Sequence, residues 1–204
     1  MEKVDLKGIE RKAYTSYHQD GLIDIIVGFS TLGIGVWLVL EVWLASNMTW
    51  MVLILVAIVG PSAYAAGKRA YTVPRIGFVK FPQKRVLLAQ AAVLGLFSLS
   101  AVLGVLAFIQ FEAGGTPGWL LFVIENSMLV IGVSVAALFG LMGYTFRISR
   151  MYAYALVTLP IFAIGHFLDY PLSYFVIPLG ALILLVGSTM LIRFVRKYPL
   201  PAAG

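Results

Sequence analysis

The sequence has no cysteine and little charge: 12% of its 204 residues are Asp, Glu, Lys or Arg, against 61% that are hydrophobic. The missing thiols exclude structural disulfides, thiolate metal sites and cysteine nucleophiles, and leave no redox signal of compartment. The scarcity of charge excludes a soluble domain, which would expose too much apolar surface to stay in solution. Also missing are a His-x-x-x-His pair within a span, a Gly-x-Ser-x-Gly elbow, a glycine-rich phosphate loop and an Asp-Asp pair, so the usual enzyme signatures do not occur. No cofactor and no metal is expected.

The most informative absence concerns position. Six apolar runs approach or exceed the roughly 20 residues needed to cross a bilayer core. They are Leu22 to Ser46, Met48 to Ala66, Val86 to Phe111, Trp119 to Phe146, Tyr152 to Leu168 and Tyr174 to Phe194. All fifteen Lys and Arg residues precede the first run, stand at or beyond the end of the sixth, or lie between the second and third or the fourth and fifth. None falls in the alternate connections near Asn47, at Glu112 to Gly118 and at Asp169 to Ser173. Basic residues beside a span resist translocation, so both termini are expected in the cytoplasm. The expected fold is an all-α integral membrane protein of six transmembrane helices in three hairpins.

Residues 1–21 read as a cytoplasmic amphipathic segment lying at the interface, with Leu6, Ile9, Ala13 and Tyr17 at helical spacing. No cleavage site follows a short apolar region, so the first span reads as an uncleaved anchor. Residues 22–194 form the six-helix domain. Within it, 67–85 is a basic cytoplasmic loop with an extended piece between Pro74 and Pro82, and 195–204 is a cytoplasmic tail. The net charge of +6 is spread over membrane-flanking loops, where topology and anionic headgroups account for it without nucleic acid. Small residues at helical spacing mark packing seams: Gly28, Gly33 and Gly35; Ala91 with Gly95 and Ser100 with Gly104; and Gly132, Ala136, Gly140 and Gly143.

Two stretches, Arg11 to Gly28 with its Tyr-His-Gln-Asp-Gly-Leu-Ile-Asp run and Pro74-Arg-Ile-Gly-Phe-Val-Lys-Phe81, resemble segments of an uncharacterised group of small prokaryotic multi-span membrane proteins. The resemblance implies a multi-span fold in a prokaryotic cytoplasmic membrane. It implies no activity, substrate or catalytic residue.

Polar groups within a span are costly, so they are the places to look for function. Toward the outer side stand Glu41, Glu125, Asn126, His166 and Asp169, a candidate ion or proton site in which carboxylate and imidazole exchange a proton near neutral pH. The competing reading makes Glu125 a packing group, hydrogen-bonded across a helix seam. At the inner mouth stand His18, Asp20, Asp24, Arg75, Lys80 and Arg147. Asp20 reads as the N-cap of the first span, and Asp24 as an ion-pair latch to a loop cation or Arg147. A pocket for a phosphate-bearing headgroup is the alternative use of the same residues.

These features favour a non-catalytic accessory or scaffold component, with the bilayer, another membrane protein or a second copy as partner. A small proton- or cation-coupled transporter or channel using Glu125 is the second reading, and a lipid-headgroup enzyme at the cytoplasmic mouth the third. The orientation is directly testable because the chain has no cysteine background. Single cysteines at Asn47, Gly115 or Pro171 are expected to react with an impermeant maleimide from outside the cell. Labelling of Gly115→Cys only after the membrane is breached would overturn the six-span arrangement.

Overall fold

The computed structural model describes residues 17–44, 47–77 and 83–199. In chain order its helices are α1 (Leu22–Leu44), α2 (Trp50–Gly67), α3 (Val73–Ile76), α4 (Gln83–Glu112), α5 (Gly118–Glu125), α6 (Ser127–Phe146), α7 (Ser149–Leu168) and α8 (Ser173–Lys197). A 3-10 turn, Asn47–Thr49, leads into α2, and a π-helical turn, Lys68–Thr72, joins α2 to α3. No strand occurs among the described residues. Five stretches are long and apolar enough to cross a membrane: Leu22–Leu44, Trp50–Ile76, Ser127–Phe146, Ser149–Leu168 and Ser173–Lys197. Among the described residues of α4, Ser98–Glu112 is a further apolar stretch.

The chain divides into two compact units, one from Met1–Lys80 with Tyr170–Gly204, the other from Phe81–Asp169. In the first, α1 packs most extensively against α8 and next against α2. The reason is glycine. A Cβ on Gly180 would lie 2.5 Å from the backbone nitrogen of Leu32, and one on Gly187 would lie 2.6 Å from that of Ile25. Gly28 meets the backbone of Leu184 as closely from the other side. Two backbones in such contact gain dispersion energy and leave no room for lipid between them. The paired positions rise along α1 as they fall along α8, so the two helices are antiparallel. The pairs Gly33 with Val56 and Gly67 with Leu22 make α2 antiparallel to α1 as well. The start of α1, the end of α2 and the end of α8 therefore share one end of this unit. All its described Lys and Arg residues lie at that end, and Glu41 lies at the other.

In the second unit, α6 and α7 form an antiparallel pair. Gly132 receives Phe162, whose Cβ would be 2.5 Å from a Cβ on the glycine, and Gly143 receives the ring of Tyr152. Phe139 and Tyr154 meet between them with centroids 5.9 Å apart. Arg147, in the left-handed conformation at φ 54, closes α6 and turns the chain into α7.

Two expectations change. The fourth run, Trp119 to Phe146, is not one helix but α5 and α6, separated at Asn126 (φ −106, ψ 24). The Asn126 side-chain amide donates to the Phe122 carbonyl at 3.0 Å, as does its own backbone N–H. An Asn side chain that competes for a helix carbonyl weakens the regular ladder. The segment after Gly67 is also not a loop. The helix continues to Ile76 and ends at Gly77 (φ 81). The Val73 N–H reaches back five residues to Lys68 O, and this widened turn precedes Pro74, which has no N–H to donate. The extended piece expected before Pro82 and the amphipathic segment through residue 16 lie outside the described residues. Tyr17, expected on that surface segment, is buried.

The small-residue seams separate into used and open. Among the described residues nothing lies within 4 Å of where a Cβ would stand on Gly95 and Gly104 of α4 or on Gly140 of α6. Gly180→Ala is expected to lower stability by about 1–3 kcal/mol through overpacking. Gly95→Ala is expected to leave it unchanged or slightly higher. Thermal unfolding of the purified variants in detergent measures both, and equal losses would contradict the assignment of seams.

Candidate functional site

The basic end of the first unit holds a group of side chains with almost no solvent access. Tyr17 to Gly21 make a turn into α1, and Gly21 takes φ +76 while its α-carbon faces the Gly187 carbonyl, so the position suits only glycine. The turn drives Asp20 inward until it is 0% exposed. Its Oδ1 accepts the Leu22 N–H at 3.2 Å, which satisfies a free donor at the start of α1. Its Oδ2 accepts from Lys68 Nζ at 2.6 Å and from the Thr72 hydroxyl. Lys68 and Thr72 are the first and last residues of the π-helical turn, whose wider coil presents both to the same carboxylate oxygen.

Lys68, 4% exposed, is held on every side. It also donates to the Tyr17 carbonyl at 2.5 Å and stands 3.9 Å from the centroid of the Tyr17 ring. The Tyr64 ring lies 5.5 Å away. Cation–π contact strengthens as the cation loses water. Each partially dehydrated ion costs several kcal/mol, and the pair is stable here because the remaining lone pairs and protons find hydrogen bonds. Burial, and then the nearby Asp20 carboxylate, raises the Tyr17 hydroxyl above its ordinary value of 10.0. The neutral phenol is thus favoured in the fold. That contribution is complete below pH 10 and lost as pH rises through the higher folded value.

Two more members of the inner cluster are buried nearby in sequence. The His18 ring meets Tyr17 edge-on at 5.5 Å. Asp24 is 0% exposed in the first turn of α1, where the helix dipole favours a negative charge, and its Cβ lies against Gly187. Arg75 is instead committed to its own helix, donating from Nη1 to the Tyr71 carbonyl at 2.9 Å. Lys80 lies outside the described residues. Arg147 belongs to the second unit and is exposed at the end of α6. The expected partner of Asp24 was a cation of the 67–85 segment or Arg147; the ion pair seen at this end joins Asp20 to Lys68. The signal for Lys68 was its place: it is the first cation after the second span, and antiparallel pairing brings it level with the last carboxylate before the first.

The outer residues are divided between the two units. Glu125 is exposed at the α5–α6 break, beside half-buried Asn126. His166 sits in the last turn of α7, its ring 5.6 Å from that of Phe167. Asp169 is exposed in the left-handed conformation that ends α7. No hydrogen bond links Glu125 to His166 or Asp169 among the described residues. Glu41 belongs to the first unit, where it accepts the Thr49 hydroxyl. Among the described residues no three His, Asp or Glu side chains are grouped so as to hold a metal ion.

Removing one ion of a buried pair strands the other. Lys68→Met is expected to destabilise the protein by about 3–5 kcal/mol, whereas the double change Asp20→Leu with Lys68→Met should cost less than either change alone. Denaturation of the three variants in one detergent gives the coupling, and additive losses would show that the two charges do not depend on each other.

Comparison of the chain with protein-family models, with curated proteins and with solved structures finds no match to any of them.

Proposed function

We propose that this protein is a six-span integral membrane protein of a prokaryotic cytoplasmic membrane, with both termini in the cytoplasm, serving as a non-catalytic accessory or scaffold component. The span added to the five long apolar helices in this reading is α4, whose 30 residues carry the third apolar run of the sequence. The collection of the first unit's basic residues at one end supports the orientation, because that end then faces anionic headgroups on the cytoplasmic side.

One observation carries the functional reading. Two deeply buried charges of the first unit, Asp20 and Lys68, are consumed by each other and by protein partners: a backbone N–H, a backbone carbonyl, a hydroxyl and an aromatic face. A catalytic acid, base or transport site needs a group aimed at a substrate. A network closed on itself instead resists the loss of any member, which suits a component whose task is to hold a shape.

The break at Glu125 and Asn126 favours a second reading as a small proton- or cation-coupled transporter, since discontinuous helices line ion sites in many transporters. Reconstitution into sealed vesicles separates the two. Proton or cation flux no greater than that of protein-free vesicles, for both the native chain and Glu125→Gln, is the expected result. Flux in the native chain that Glu125→Gln abolishes, with the variant still monodisperse, would establish transport in its place.

A further inference from the structure

Between α1 and α8, at the end of the first unit opposite Asp20 and Lys68, lies an open groove of about 500 Å3. The helices close beneath it, where a Cβ on Gly35 would stand 2.6 Å from Cγ1 of Ile177. That register sets Leu38 and Val39 beside Ser173 and Tyr174, and carries Val42 and Trp43 past the start of α8. The walls are mostly apolar, from Leu38, Val39 and Val42 on one side and Ile177 and Pro178 on the other. Trp43, 83% exposed, stands at the outer rim.

One polar side chain interrupts these walls. Ser173 lines the groove and is 9% exposed, yet its hydroxyl makes no hydrogen bond among the described residues. A hydroxyl so enclosed ordinarily finds a partner, and an alanine would pack the same space without a group to satisfy. The partner it lacks is not an anion. The N–H groups of Tyr174, Phe175 and Val176 are taken by the Pro171 and Leu172 carbonyls, so the start of α8 has few donors left for a charged group. This end of the unit also has no described Lys or Arg. An apolar trough with a single hydroxyl partway along it matches an uncharged carbonyl at the head of a long hydrocarbon chain.

We propose that the groove holds one acyl chain of a bilayer glycerolipid, with the Ser173 hydroxyl donating to the ester carbonyl. The chain then runs inward past Ile177 toward Pro178, about 7–8 Å along α8 from Ser173. In the other direction the glycerol and headgroup pass Val42 to Trp43, whose indole suits the boundary between hydrocarbon and water. The inference rests on the membrane-spanning reading above, which sets α1 and α8 among lipid. A lipid seated here covers the end of the α1–α8 seam where the two helices no longer touch, and so belongs to the fold of the first unit.

The test titrates the delipidated full chain in detergent with a phosphatidylcholine carrying two ester-linked chains, and native mass spectrometry counts the lipids bound. One saturable lipid per chain is expected. The ether-linked counterpart, which has the same chains and no carbonyl, is expected to need about fivefold more lipid for half-saturation, the effect of one hydrogen bond. Ser173→Ala removes no cap, since Leu172 holds that position, and should weaken the ester lipid about fivefold while leaving the ether lipid unchanged. Val42→Trp, which fills the groove from an exposed position, should abolish saturable binding, whereas Leu55→Trp on α2 should not. Equal binding of ester and ether lipids by the native chain overturns the role of Ser173. Saturable binding that survives Val42→Trp overturns the groove, and oleate binding in place of the phospholipid overturns the assignment to a bilayer glycerolipid. The titration is independent of orientation and of transport, whose failures appear separately in the labelling of Gly115→Cys and in the vesicle assay.

Discussion

A carboxylate and an ammonium that have given up nearly all their water must stay together, and the packing of the first unit depends on that requirement. Asp20 reaches Lys68 only if the chain turns sharply at Gly21, if α1 starts at Leu22, and if the helix that begins at Trp50 runs past Gly67 with a widened turn. Each of these features answers to the same pair of charges. Separating them would leave two ions in a place with little dielectric relief, a loss that no local change in packing offsets.

The two units use glycine differently. In the first, glycines on α1 and α8 bring backbone against backbone. In the second, Gly132 and Gly143 of α6 make room for the rings of Phe162 and Tyr152. Both solve the same problem, since lipid provides no hydrophobic force between apolar helices and contact must come from dispersion. Large aliphatic residues cover the remaining helix faces, and α2 exposes Met51, Ile54, Leu55 and Ile58 in a continuous apolar row suited to acyl chains.

The helical class and the five long apolar helices were legible in the sequence, and for a simple reason: long apolar runs depend on the bilayer more than on tertiary contacts. The cap at Asp20 was legible too, because an Asp before an apolar run meets free N–H groups whatever the rest of the fold does. Local rules failed where one residue answers to a distant one. Lys68 looked like a boundary charge because nothing near it in the chain marks it as buried; only the approach of α1 does that. The helix through Pro74 was masked because a proline after a span normally ends it, and a π-helical turn leaves no signature in residue type. Asn126 was read as a functional neighbour of Glu125, and its competition for the Phe122 carbonyl, which divides the fourth run, was missed.

The pairing of the first long helix with the last bears on the order in which the protein is made. During synthesis α1 enters well before α8 exists, so the glycine face of α1 waits uncovered while most of the chain is added. Asp20 and Lys68 are separated by far less chain and can meet once α2 has followed α1. The ion pair thus acts first as a temporary clasp, keeping α1 upright beside α2 with its small residues turned toward a partner still to come. When α8 arrives, it closes a loop that spans nearly the whole sequence, and the clasp becomes a permanent part of the interior.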